Sequence, residues 1–295
     1  MSLIERAVAR LSASGRPLPS FQGPALVEEG IDAAVAVAPN VAPAARSAPA
    51  LPPDRSLGAP VSLPLARMRE TGLLIPAARA TQTGQEFRLI KGAVLEAAIG
   101  AKSRKTPRER RIAVASALPG EGKTFCAINL AVSIVSSGEQ PVLLIDADMI
   151  RPSIDRHLDV GGIGGLVDAM KDESSVFPLI RPTDIPGLHV LPAGASLAHA
   201  GEYLASRRIA QLLDAISAVY PEWIVVLDTP PLLAVTEVRS LIKHVGQVLL
   251  VVEAGGTTRR SIQAALATLP EGTDTRLVLN KASSQRRRYD NWYGY

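Results

Sequence analysis

Ile112-Ala113-Val114-Ala115-Ser116-Ala117-Leu118-Pro119-Gly120-Glu121-Gly122-Lys123-Thr124 is the stretch from which the rest of the chain is read. It predicts a short buried strand, a glycine-containing turn and the start of a helix. From Ala117 to Thr124 the spacing follows the phosphate-loop pattern G-x-x-x-x-G-K-[ST], with alanine in the first glycine place. Gly120 and Gly122 allow successive backbone N–H groups to turn inward as a nest for phosphate oxygens. The helix that follows adds its positive N-terminal end to that anion site. Lys123 is placed to reach the β- and γ-phosphates, and the Thr124 hydroxyl to coordinate Mg²⁺. The competing reading is an ordinary strand–turn–helix corner with a chance Gly-Lys-Thr. The strand before and the apolar helix after favour a nucleoside triphosphate site.

Downstream, aliphatic runs at Val142–Ile145, His189–Leu191, Ile224–Leu227, Val248–Val252 and Leu277–Leu279 predict strands buried on both faces. Helical patterns fall between them at Thr124–Val135, Tyr203–Val219, Val235–His244 and Ser261–Leu269. This alternation predicts an α/β fold, a mostly parallel sheet with helices on both faces. Ligands in such sheets sit at the carboxyl ends of strands, and acids cluster there. Asp146 and Asp148 leave the second strand, followed by Arg151-Pro152. Asp228 ends Trp223-Ile224-Val225-Val226-Leu227-Asp228 ahead of Thr229-Pro230-Pro231, the Walker B arrangement for a metal. One of the paired acids is a candidate Mg²⁺ ligand through water and the other a proton acceptor, while Arg151 is a candidate partner for phosphate or for the acids. A solvated acidic turn is the plainer alternative for Asp146 and Asp148.

Upstream, Gln85–Ile99 carries Phe87, Ile90, Val94, Leu95 and Ala98 at helical spacing, and Gly100 stops it. Residues 12–80 are rich in Ala, Pro and Gly, contain no lysine and have Phe21 as their one aromatic. Prolines 39, 43, 49, 52 and 53 oppose regular structure there, so a disordered tether is expected. Before it, Ser2-Leu3-Ile4-Glu5 is a capping box opening a short amphipathic helix through Leu11. The expected organisation is therefore helix plus tether over 1–81, a nucleotide-binding domain over 82–283 and a flexible tail over 284–295.

Composition limits the alternatives. Hydrophobic residues make up 47% of the 295 and aromatics 4%, so the core must be aliphatic. A formal charge of +4 is too small to argue for nucleic acid. The lone Cys126 excludes an internal disulfide and a cysteine-rich metal site. No uncharged apolar run approaches the ~20 residues of a membrane span, and Glu5, Arg6 and Arg10 interrupt any signal-peptide pattern. A cytoplasmic protein is expected. The C-terminus then stands out: three of the five tyrosines, Tyr289, Tyr293 and Tyr295, lie in the last seven residues, behind Arg286-Arg287-Arg288. A polar tail has no core to bury them in, which makes them candidate phosphoacceptors. A tail that docks as a strand or hook is the alternative.

The phosphate loop, Asp146-Ala147-Asp148-Met149-Ile150-Arg151-Pro152, Leu227-Asp228-Thr229-Pro230-Pro231 and the tyrosine tail together resemble the bacterial tyrosine autokinases over roughly residues 85–295. Ser2–Arg10 and Glu86-Phe87-Arg88-Leu89-Ile90-Lys91 are also similar to the branch found with exosortase-linked exopolysaccharide loci. The resemblance implies a P-loop NTPase fold, ATP and Mg²⁺ as cofactors, and phosphorylation of tail tyrosines between subunits of a homo-oligomer. It implies a partner too, the cytoplasmic segment of a membrane polysaccharide chain-length regulator that recruits the protein to the inner membrane. It implies catalytic roles for Lys123, Asp146 as base, Asp148, Asp228 and Arg151, with Thr124, Asp148 and Asp228 at the metal. The implied nucleotide contacts are Pro119, Gly120, Glu121, Gly122, Lys123, Thr124, Phe125 and, near the adenine, Asn280. Where the family's oligomerisation helix has E-x-x-R-x-x-R, this chain has Gln85, Arg88 and Lys91. The fold also resembles partition and septum-site ATPases, switches without tyrosine transfer. Those carry an extra lysine where Leu118 stands. An inactive ATP-binding regulator is the third class.

Overall fold

The aliphatic runs pair into one sheet. The computed structural model describes residues 56–78, 81–100, 106–162, 164–171, 175–196 and 200–282. Among them are strands β1 (Arg111–Ser116), β2 (Val142–Asp146), β3 (Arg181–Pro182), β4 (Leu188–Leu191), β5 (Ile224–Asp228), β6 (Gln247–Glu253) and β7 (Asp274–Asn280). Their spatial order is β3-β4-β2-β5-β1-β6-β7. Every neighbouring pair is parallel except β3–β4. Parallel neighbours require crossovers, and helices supply them on both faces.

Side chains alternate across the sheet, so successive residues of one strand enter different cores. Leu143 and Ile145 of β2 join Ala113 and Ala115 of β1 in one apolar cluster. Val142 and Leu144 join Ile112 and Val114 in the other. This explains why the central strands read as unbroken aliphatic runs rather than alternating ones. Helix α1 (Leu65–Glu70) is followed by α2 (Gln82–Ile99), whose first turn is capped by the Thr81 hydroxyl accepting from the Gly84 N–H at 3.1 Å. Phe87, Val94 and Ala98 form its buried stripe, while Leu89 on the other side is 78% exposed. Helix α3 (Lys123–Val135) is buried almost all round. It springs from the phosphate loop and lies at the centre of the second cluster. Short helices α4 (Ile154–Leu158), α5 (Leu166–Lys171), α6 (Ala200–Ala205), α7 (Arg207–Val219), α8 (Val238–Ile242) and α9 (Arg259–Thr268) complete the layers.

Three expectations change. The helix expected over Tyr203–Val219 is two, α6 and α7, because Ser206 adopts an extended backbone and its hydroxyl donates to the Tyr203 carbonyl at 2.7 Å. Leu277–Leu279 is not buried on both faces: β7 is the outermost strand, and Leu277 and Leu279 are 41% and 64% exposed. An edge strand has a neighbour on one side only, which leaves its side chains half open.

The third correction concerns the tether. Residues 56–78 belong to the folded unit, not to a disordered linker. The Gly58 and Val61 N–H groups donate to the Ile180 and Pro182 carbonyls, both at 2.9 Å, and Val61 bridges Thr183 beside β3. Leu63, Met68, Leu73 and Leu74 are buried in the same cluster as α3. The Leu74 N–H donates to Asn129 Oδ1 of α3 at 2.6 Å, inside the core. Proline-rich composition hid this because Pro60, Pro64 and Pro76 sit between, not within, the apolar residues that anchor the segment. The amphipathic helix expected at 2–11, the rest of the tether to residue 55 and the tyrosine tail lie outside the described residues.

Candidate functional site

Register brings the acids together. β2 and β5 are adjacent and in step, so Asp146 and Asp228 are direct Cα partners at the carboxyl ends of their strands. β1 lies on the other side of β5, delivering the phosphate loop to the same end of the sheet. Gly120 and Gly122 have φ of 86° and 95°, left-handed values that a side chain resists. A Cβ at Gly122 would come within 2.0 Å of Asn280 Nδ2. Glycine is required there for close approach as well as for conformation.

The predicted residues converge. Lys123 Nζ pairs with Asp148 Oδ2 at 3.0 Å. Thr124 Oγ1 donates to Asp228 Oδ2 at 2.6 Å and lies 2.8 Å from Ser153 Oγ. Asp146 accepts N–H bonds from Asp148 at 3.1 Å and from Ser153 and Ile154, both at 2.9 Å. That carboxylate thereby fixes the turn carrying Asp148 and Arg151. Asp148 Oδ1 takes the Arg151 N–H at 3.0 Å, while the Arg151 side chain is exposed.

Burial dominates the electrostatics. Asp228 is wholly buried and raised to about 8, by desolvation first and the neighbouring Asp146 charge second, against the pull of Lys123 and Thr124. Asp146 is raised to about 6, again mainly by burial, which outweighs its three N–H bonds. Asp228 Oδ1 has no hydrogen-bond partner among the described residues. Three carboxylates, one lysine and an orphaned buried oxygen beside a threonine hydroxyl fit a divalent cation. Among the described residues no group of three or more acid, His or Cys ligands stands ready as a metal cage.

Other predicted contacts fall differently. The Glu121 side chain is buried and serves the loop itself. Its Oε2 accepts the Leu118 N–H at 2.8 Å, and its Oε1 accepts the Thr257 hydroxyl. The Phe125 ring, half-buried, packs edge-on against Phe87 at 6.3 Å at the margin of the apolar cluster. Asn280 Nδ2 donates to the Glu121 carbonyl at 2.9 Å. Pro119 is exposed on the loop. Sequence reasoning missed Ser153, Thr257 and Lys281, which touch the acids or the loop through tertiary contact, and Glu253, which pairs with Lys281 at 3.2 Å. Only Ser153, just after Arg151-Pro152, stood near enough to a motif to be suspected.

Residues 109–275 match the AAA domain family. The tyrosine-protein kinase YwqD of Bacillus subtilis is 30% identical over 188 residues, which are 63% of this chain and 78% of that protein. The succinoglycan biosynthesis transport protein ExoP of Rhizobium meliloti is 30% identical over 76% of this chain and 30% of its own length. Other tyrosine-protein kinases that the chain matches at 31% identity are much longer, and the chain spans 21–24% of their length. The solved BceF tyrosine kinase domain superposes with a TM-score of 0.58 at 28% identity, covering 78% of this chain and 93% of that one. The expected fold is borne out: a P-loop nucleotide-binding domain of the kind that works with a divalent metal.

Proposed function

The chain belongs to the AAA domain family, among the bacterial tyrosine-protein kinases, and from that membership we propose that it is an ATP- and Mg²⁺-dependent protein-tyrosine autokinase. Its acceptors are Tyr289, Tyr293 and Tyr295 of a neighbouring copy, and its setting is the control of exopolysaccharide polymerisation or export. The observation that carries the chemistry is the contact of Thr124 with buried Asp228 beside the Lys123–Asp148 pair, at the mouth of the phosphate loop.

In the reaction the tyrosine oxygen forms a bond to the γ-phosphorus while the bond to the ADP oxygen breaks. Bound Mg²⁺ would supply neutralisation of the phosphate oxygens. Lys123, anchored at the site by Asp148, is positioned to hold the transferring group. A free phenol has pKa ~10, so its proton must leave during attack. Asp146, raised to about 6, is ionised at neutral pH and still basic enough to accept that proton. Its three backbone N–H bonds hold it in one orientation.

The exopolysaccharide setting is supported by the name of the Rhizobium relative. No described helix is long and apolar enough to cross a membrane. Recruitment to the inner membrane by the cytoplasmic segment of a chain-length regulator accounts for how such a chain would act there. The direct test is intact-mass spectrometry after incubation with Mg²⁺-ATP, with peptide mapping of the product. We expect additions of one or more phosphates on the tail tyrosines in the wild type and none in Lys123→Met. Equal phosphorylation of the variant would refute the assignment.

A further inference from the structure

The phosphate loop is held from behind by the residues that begin the tail. Asn280, the last residue of β7, donates its amide to the Glu121 carbonyl at 2.9 Å. Lys281, the next residue, donates Nζ to the Gly120 carbonyl at 2.8 Å and pairs with Glu253 at 3.2 Å. A trans peptide is planar, with its C=O and N–H pointing in opposite directions. Holding the Gly120 carbonyl therefore aims the Glu121 N–H the other way, and holding the Glu121 carbonyl does the same for the Gly122 N–H. These are two successive amides of the loop, the groups from which an anion nest is made. Left-handed Gly120 and Gly122 flank the arrangement. Lys281 is itself left-handed, with φ of 56°, an uncommon backbone for a lysine. Strand β7 thus ends at Asn280, and the next residue, with its left-handed backbone, is the one that grips the loop.

Resting on the kinase reading above, we propose that Lys281, seconded by Asn280, is a positioning residue that couples the root of the acceptor tail to the nucleotide site. Its ammonium orients the loop amides for phosphate, and because the tail continues directly from it, nucleotide binding and the conformation of the tail root are linked. By reciprocity, a tail drawn into a neighbouring copy alters nucleotide affinity through the same contact. Lys281 touches no reacting atom in this arrangement.

The test measures equilibrium binding of Mg²⁺ with a non-hydrolysable ATP analogue to the full chain, as wild type, Lys281→Met and Lys281→Arg. Hydrogen exchange of the tail root is followed with and without saturating analogue. Loss of one charge-assisted bond at a partly exposed position should weaken binding roughly three- to tenfold in Lys281→Met. Lys281→Arg should restore most of it. Saturating analogue should slow exchange across residues 281–285 in the wild type and leave it unchanged in Lys281→Met. The second readout separates coupling from a merely structural role, since a loosened loop would still transmit protection once filled. Wild-type affinity in Lys281→Met, or protection of 281–285 persisting there at saturation, overturns the proposal while the kinase reading stands. A wild-type chain that binds no analogue overturns both.

Discussion

Replacing Asp228 with Asn should change how stability responds to pH. Asp228 is fully buried, has one oxygen without a partner among the described residues and is raised to about 8, mainly by burial and then by the Asp146 charge beside it. In the unfolded chain an aspartate titrates near ~3.9. Between those values the folded state binds a proton that the unfolded state has released. Stability is therefore full at the acid end, falls as pH rises through this window and levels off above about 8. The limiting slope for one such group is about 1.4 kcal/mol per pH unit. From pH 6 to 8 the metal-free wild type should lose on the order of 2 kcal/mol, several degrees in Tm for a domain of this size. Asp228→Asn keeps an acceptor for the Thr124 hydroxyl and removes the titration. The variant should melt higher than wild type at pH 8, by less at pH 6, while losing phosphoryl transfer. The assay is thermal unfolding by circular dichroism in chelator, at half-unit steps of pH. A wild-type Tm that is flat or rising from pH 6 to 8, or an equally steep decline in Asp228→Asn, would refute the reasoning.

Asp146→Asn should leave nucleotide binding nearly intact and lower tyrosine transfer about 10²- to 10⁴-fold, measured by radiolabel incorporation; near-normal transfer would move the base to Asp148. Met68→Ala should cost about 2–4 kcal/mol in denaturant unfolding, because Met68 is completely buried, and limited proteolysis should yield a stable fragment beginning at or before residue 56, not near Gln82. Fourteen residues follow Lys281, and at ~3.5 Å each the tail reaches ~50 Å, enough to meet a neighbouring site. Mixing Lys123→Met bearing an intact tail with active chain truncated after Ser284 should put label on the inactive partner. Absence of label there, with robust wild-type labelling at every dilution, would establish a reaction within one chain.

Local chemistry made the centre of this protein legible from its sequence. The strand Arg111–Ser116, the loop glycines and the helix from Lys123 occupy one continuous stretch, so their geometry is set by near neighbours. Asp146 and Asp228 were legible because a buried aliphatic run that ends in an acid needs a reason other than packing. What sequence leaves open is everything that depends on which distant segment arrives beside which. The in-step register of β2 and β5 puts those two acids side by side, where the Asp146 charge adds to burial in raising Asp228. The Glu121 carboxylate serves the loop itself, held by the Leu118 N–H and by the hydroxyl of Thr257, 136 residues away, which leaves its backbone N–H as the group it can offer a phosphate. The half-buried Phe125 ring leans on the apolar cluster because Phe87 of another helix meets it. Residues 56–78 read as linker since four anchoring side chains among prolines carry no periodicity, yet α3 and β3 receive them. Lys281 has no motif at all, and only the parallel placement of β7 beside β6 brings it to the Gly120 carbonyl. A hydrogen bond acts over about 3 Å whatever the separation in sequence, and that is why the chain order names the chemistry while the tertiary fold decides which groups hold it in place.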